Sequence, residues 1–436
     1  MVKKLDRFNF SSFPNLVSLD LARAVVLGSI PPETGTLSKL THLDLSYNGL
    51  TGELPFSLGN LTQLMALDIS HNRINRSIPP QLGNLNNLVA LNLRYNKLRG
   101  PIPFAFGRLM TNLTHLYVSN NQIEGDPLLS LTGLTQLWTT TSTLGQLTKL
   151  TALSLAGNQI NGSIPPEIGN LRSLYYLDLS MNQLSGPLPP DIGMLKSLYI
   201  VNISGNLLTG PLPANLGQLS HLTRLDIGSN KLNGSIPSEL GGLVNLDNPS
   251  LGDNMLTGPL PWTLGNLIHL TNLDLKSNKI NGSIPPKVGN LRYLGSLQFQ
   301  NNALSGSVLV GIWNLAYLRV LDLSFNNFTG SIILPLGGLY SVQHLDLSHN
   351  NLNGRIPTEI DKLYVLTTLD LSHNSLSGQK PFLLGKVPRL ITLNLSHNRL
   401  SGNIPDAVMS LMPLQATRIY VVVMSPVSHL AYKRVS

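Results

Sequence analysis

Residues Leu270–Leu291 read LTNLDLKSNKINGSIPPKVGNL. The stretch opens with leucine at 270, 273 and 275 and asparagine at 278, the spacing Leu-x-x-Leu-x-Leu-x-x-Asn. A Leu-x-Leu pair has the period of a strand, so its two side chains share one face while the residues between them share the other. Followed outward in both directions, the spacing returns an asparagine at Asn48, Asn72, Asn96, Asn121, Asn158, Asn182, Asn206, Asn230, Asn254, Asn278, Asn302, Asn326, Asn350, Asn374 and Asn398. Thirteen of the fourteen intervals are 24 or 25 residues. An earlier segment, Leu16 to Pro31, is in phase with Ala24 in the asparagine slot, which makes about sixteen units.

A regular period of this length, carried by leucines and an asparagine, belongs to a leucine-rich-repeat solenoid. The expected architecture is a right-handed α/β solenoid with parallel strands on the concave side and short 3-10 or helical turns on the convex side. Leu43 and Leu45 should point inward, with His42, Asp44 and Ser46 facing solvent. The recurring asparagine should enter the turn after the strand, where its amide satisfies backbone groups that no strand ladder reaches. Gly-x-[Ile/Leu]-Pro follows it eleven times, as in Gly162 to Pro165; glycine permits the turn and proline ends pairing. Segments such as Pro80 to Leu85 then space their leucines three apart, as a short helical turn requires.

The resulting division is a degenerate N-terminal segment (1–15), a solenoid (16–411) and a tail without repeat grammar (412–436). One interval is irregular: Asn121 to Asn158 spans 37 residues, two units short by eleven. Residues 124–150 contain it. Either a loop has been inserted, or a unit has lost its strand around Trp138 to Thr141; the second, plainer reading is taken here. Pro249 in a strand leucine slot and Arg76 in place of the turn glycine are smaller faults.

Composition removes several function classes. The 436 residues include no cysteine, which excludes disulfides, cysteine nucleophiles and thiolate metal sites. Thirty Lys+Arg against 22 Asp+Glu give +8, but the basic residues are scattered singly, without the clusters of a nucleic-acid groove. No apolar run approaches the ~20 residues that span a bilayer. Ser, His and Asp recur as surface columns without a nucleophile beside an oriented base, so no catalytic residue, metal ligand or cofactor is assigned.

The pattern Leu-x-x-Leu-x-Leu-Ser-x-Asn-x-Leu-x-Gly-x-Ile-Pro-x-x-Leu-Gly-x-Leu resembles the plant-type repeat of receptor-like kinases and receptor-like proteins, from Leu16 to about Leu411. Runs such as Phe10 to Leu21 and Gly282 to Leu291 look most like the group of male-discoverer-interacting receptor kinases. The resemblance implies a peptide- or protein-binding ectodomain at the cell surface or in the apoplast, monomeric, with a co-receptor kinase as a second partner. Relatives carry a signal peptide, cysteine-paired caps, a membrane helix and a kinase. None of these is recognisable here, and neither His-Arg-Asp nor Asp-Phe-Gly occurs, so the expectation is a truncated member that is not itself a kinase. The alternative is a free-standing binder or inhibitor of the polygalacturonase-inhibiting type.

Candidate ligand contacts come from the outward positions six, four, two and one residues before each asparagine. Residues there that depart from Asp, Asn or Ser and are large enough to anchor a ligand are Arg94, Tyr95, Tyr117, Tyr176, Arg224, Lys276, Gln298, Gln300 and Phe325. Arg94, Tyr95 and Tyr117 form a cluster on neighbouring strands. The same columns hold ten Asp against four Arg or Lys, a net −6. His349, His373 and His397 stand at equivalent places on consecutive units, a candidate pH-sensitive cluster whose protonation near ~6.5 would offset that charge. Glycosylation sequons on exposed repeat positions are Asn60, Asn75, Asn112, Asn161, Asn233, Asn281 and Asn327; Asn202 and Asn394 carry sequons on the concave face.

Overall fold

Every inner strand is three residues long, because only Leu-x-Leu and its flanks keep strand geometry before the asparagine turn begins. The computed structural model describes residues 3–126, 147–308, 310–334, 339–379 and 387–401. The tail 412–436 and the segment Trp138 to Thr141 lie outside the described residues. The chain divides into two compact units, Met1–Lys231 and Leu232–Ser436.

The first unit holds nine inner strands in chain order: β1 (Ser18–Asp20), β2 (His42–Asp44), β3 (Ala66–Asp68), β4 (Ala90–Asn92), β5 (His115–Tyr117), β6 (Ala152–Ser154), β7 (Tyr176–Asp178), β8 (Ile200–Asn202) and β9 (Arg224–Asp226). Each pairs in parallel with the next, residue for residue, as in Tyr117↔Ser154 and Ser154↔Asp178. The second unit holds seven: β10 (Asn248–Ser250), β11 (Asn272–Asp274), β12 (Ser296–Gln298), β13 (Val320–Asp322), β14 (His344–Asp346), β15 (Thr368–Asp370) and β16 (Thr392–Asn394). The central residue of each strand from β2 to β9 points into the core and is at most 2 % exposed. Pro249 fills that slot in β10 but has no N–H to offer, and β10 registers with β11 only at Ser250↔Asp274.

The convex side is made of 3-10 turns such as Pro80–Asn84, Pro190–Met194 and Trp262–Asn266. They start where Gly-x-[Ile/Leu]-Pro stops the flanking pairing. Proline is well suited to that first position, since its missing N–H has no partner there. Where such a turn holds glycine, close approach requires it: a Cβ on Gly193 would come within 2.5 Å of the Asn215 carbonyl oxygen of the next turn.

The asparagines do what the spacing suggested. The Asn206 side chain, 5 % exposed, accepts from Leu184 N–H at 3.0 Å. Its amide donates to the carbonyls of Leu179, Ile203 and Ser204 at 3.0, 3.1 and 3.3 Å. One amide thus ties its own turn to the previous unit's strand end.

Two expectations need correction. Ser46 does not face solvent: it is 5 % exposed, because the chain turns in after Asp44 and the Asp44 carboxylate accepts the Ser46 N–H at 2.8 Å. The residue before each asparagine is not in the strand. Tyr47, His71, Tyr95, Phe325, His349, His373 and His397 all adopt left-handed backbone, with φ between 51° and 55°. The flanks of the 37-residue interval join directly, and residues 127–146 between them lie outside the described residues. β5 pairs directly with β6, and Asn158 bonds Ile123 N–H and the Val118 carbonyl across it, so no strand place stands empty.

Candidate ligand-binding face

The outward residues of β1 to β16 form columns whose chemistry follows from their place relative to the asparagine. Four residues before it, Asp is the usual occupant, and its first oxygen accepts the N–H two residues on, as Asp178 does from Ser180 (3.2 Å) and Asp370 from Ser372 (2.9 Å). This column of carboxylates is therefore structural as well as charged. Two residues before it, serine is small and lies below its neighbours.

The left-handed turn carries the next column to the rim of the sheet, where rings from successive units meet face to face. In the first unit Tyr47, His71 and Tyr95 stack with centroids 4.0 and 4.3 Å apart, and the Arg23 guanidinium covers Tyr47 at 4.6 Å. In the second, Phe325, His349, His373 and His397 stack at 4.0, 4.0 and 3.9 Å. Burial in the stack holds the His373 imidazole below its ordinary value of 6.5; the charges of His349 and His397 act in the same direction, against Asp370. His71 is lowered likewise, by burial first and then by Arg94 and Arg23, with Asp68 opposing. The expectation that the cluster titrates at the unperturbed value therefore does not carry over to its central member.

The proposed cluster of Arg94, Tyr95 and Tyr117 is divided. Tyr95 joins the rim stack, whereas Arg94 turns to Tyr117, its guanidinium carbon 5.5 Å from the ring centroid. Tyr176 stands two strands further on and donates to Asp178 at 3.1 Å. Burial, then Asp178 as a charge and as hydrogen-bond acceptor, pushes its hydroxyl up to about 12. Burial raises Tyr117 too, against Arg94. Lys276 is occupied within the chain, 3.4 Å from Asp274 and 3.7 Å from Asp253, and Asp274 foremost raises its ammonium group. Gln298 donates to Ser296 at 3.1 Å, and the Gln300 carbonyl oxygen is buried without a partner. Arg224 and Phe325 are exposed. Tyr47, one residue before Asn48, occupies the same column as Tyr95 and Phe325, a position readable from the repeat, and stacks on His71.

Among the described residues, Asp322, His344 and Asp346 each offer one ligand atom, all within 4.8 Å of one another. Asp322 and Asp346 already accept the N–H of Ser324 and Ser348. Asn60, Asn75, Asn161, Asn233, Asn281 and Asn327 are exposed. Asn112 is half-buried, donating to the Asn86 carbonyl and accepting from Lys149. Asn394 donates to Asp370 on the concave face. No helix among the described residues is long and apolar enough to cross a membrane.

Leucine-rich-repeat models match residues 14–74 and 38–98 and nine further stretches from 112–134 to 389–411. This chain belongs to the leucine-rich-repeat family. Among solved structures, this leucine-rich-repeat chain is 31% identical to a TDR receptor, with a TM-score of 0.84 over 92% of this chain and 67% of that one. It is 30% identical to the plant peptide hormone receptor RGFR1 in complex with RGF2, with a TM-score of 0.72 over 94% and 75%. A Leptospira interrogans leucine-rich-repeat protein, LIC12759, is 27% identical, with a TM-score of 0.64 over 96% of this chain and all of that one. No curated protein matches the sequence. The fold is that of a receptor ectodomain and not of a kinase domain.

Proposed function

We propose that this leucine-rich-repeat chain is the ligand-recognition part of a plant cell-surface receptor and binds a peptide along its inner strands. The observation that carries the reading is the set of large anchors on neighbouring repeats of the inner face, Arg94 two residues past β4, Tyr117 on β5 and Tyr176 on β7. Aromatic and Arg side chains on a rigid sheet cost little entropy to engage. The likeness to RGFR1, whose structure holds a peptide hormone, supports the same use here. On this reading the chain works at the cell surface with a co-receptor kinase, and glycans occupy the exposed sequons.

A panel of synthetic secreted plant peptides titrated calorimetrically tests this. At least one should bind, and Tyr176→Ala and Arg224→Ala should each weaken it about tenfold or more, ~1.4 kcal/mol. Lys97→Ala, on the exposed flanking strand Lys97–Gly100, should leave it unchanged. Binding that ignores both inner-face variants overturns the reading.

A further inference from the structure

The column of carboxylates has one wide gap. Asp68 is followed by Asn92, Tyr117 and Ser154 before Asp178 resumes it; elsewhere in the column a lapse lasts a single strand. Arg94 lies in this gap, half-buried. Its Nε is buried with no acceptor, and its guanidinium makes no ion pair among the described residues.

The carboxylate nearest in the column, Asp68, is engaged on both oxygens, by Ser70 N–H and by the Asn92 amide at 2.8 Å each. The strand after Tyr117 is low: Ala152 and Ser154 are 7 % and 6 % exposed, and the turn beyond them continues with Ala156 and Gly157. Tyr117 on β5 and Tyr176 on β7 therefore stand on either side of a shallow floor made by β6. Tyr176 already has Asp178 as its acceptor; the Tyr117 hydroxyl has none among the described residues.

We infer that this gap is a carboxylate-binding subsite, in which an acidic group of the ligand docks on Arg94 with the Tyr117 hydroxyl as a second donor. The apolar part of the same ligand residue lies on Ala152, which registers with His115 on β5 and Tyr176 on β7. This rests on the reading of the inner face as a peptide-binding surface and specifies its chemistry. A half-buried guanidinium without an acceptor is a poorly satisfied charge, and a carboxylate meets its planar fork with two parallel bonds. A neutral amide of the same shape leaves the charge uncompensated and is rejected. On either side, Asp68 and Asp178 repel an acidic group, so the gap also sets the ligand's register along the strands.

The carboxylate can come from an Asp or Glu side chain or from a free C-terminus, and small probes separate these. The full chain, labelled with 15N-arginine, is titrated with acetyl-Gly-Asp-Gly-amide, with acetyl-Gly-Gly-Gly bearing a free C-terminus, and with acetyl-Gly-Asn-Gly-amide. The Arg94 Nε–H resonance is assigned by its loss in Arg94→Lys. A saturable shift with one or both acidic probes, absent with the Asn probe and weakened several-fold in Tyr117→Phe, is the expected result; which acid binds identifies the source. An equal shift with the neutral probe, or none with either acid, overturns the subsite. Unchanged affinity in Tyr117→Phe removes the tyrosine from it. Failure here leaves the inner-face reading standing on its own test, which uses whole peptides and residues outside the Arg94–Tyr117 pair.

Discussion

At the scale of single residues, the repeat works because one side chain per unit answers several backbone groups at once. Asn206 makes four such bonds while 5 % exposed. Asn206→Ala should therefore cost about 3 kcal/mol in urea unfolding, since buried carbonyls and an N–H lose their partner together. Arg76 is the opposite case. It occupies the turn-glycine position with φ 67°, a left-handed conformation that costs a residue with a Cβ roughly 1 kcal/mol or more, and its side chain is exposed. Arg76→Gly should raise the unfolding free energy by about 1 kcal/mol. The reverse change at the corresponding place one unit earlier, Gly52→Ala with φ 82°, should lower it by a similar amount. A loss of stability in Arg76→Gly would contradict this account of the turn.

At the scale of elements, two kinds of stacking set what can change. The convex turns nest through glycine, so Gly193→Ala should push its neighbour away and cost about 2 kcal/mol, as overpacking does. The rim stack of imidazoles is tied to pH. His373 is held below its ordinary value, so the unfolded chain takes up that proton first. Its contribution opposes folding as pH falls from above 6.5 through its lowered folded value, and vanishes at neutral pH and above. Ring-proton NMR should show His373 titrating below 6.5 in the native chain and moving upward in the His349→Gln, His397→Gln double variant. A midpoint that does not move would mean that the flanking histidines contribute nothing.

At the scale of the whole molecule, stability should follow a nearest-neighbour rule, because each repeat bonds the ones beside it. Within the first unit the rule can be tested with two pairs of variants. Asn182 and Asn206 both donate to the Leu179 carbonyl, so the double Asn182→Ala, Asn206→Ala should cost measurably more or less than the sum of its parts. Asn72 and Asn182 share no partner, and their double variant should be additive within about 0.5 kcal/mol. Urea midpoints of the three singles and the two doubles decide it. Equal coupling in both pairs would mean that the repeats are not joined locally as the bonds imply.

What could be read from the sequence alone is whatever depends on period and residue type. The 24-residue recurrence of Leu-x-Leu and Asn determined the strands, the inward leucines and the role of the asparagine, because each follows from one unit repeated in phase. The columns of candidate residues followed for the same reason. Only the tertiary structure decided which neighbours those residues meet. The left-handed turn before the asparagine draws Tyr95 away from Arg94 and stacks it on His71. Lys276 proves to be paired with Asp274 and Asp253. In each case a deciding contact reaches the neighbouring repeat, 23 or 24 positions away, and depends on backbone twist and side-chain reach that no single repeat encodes. The Arg94 guanidinium, over Tyr117 but without an ion-pair partner among the described residues, is visible only when neighbouring strands lie side by side.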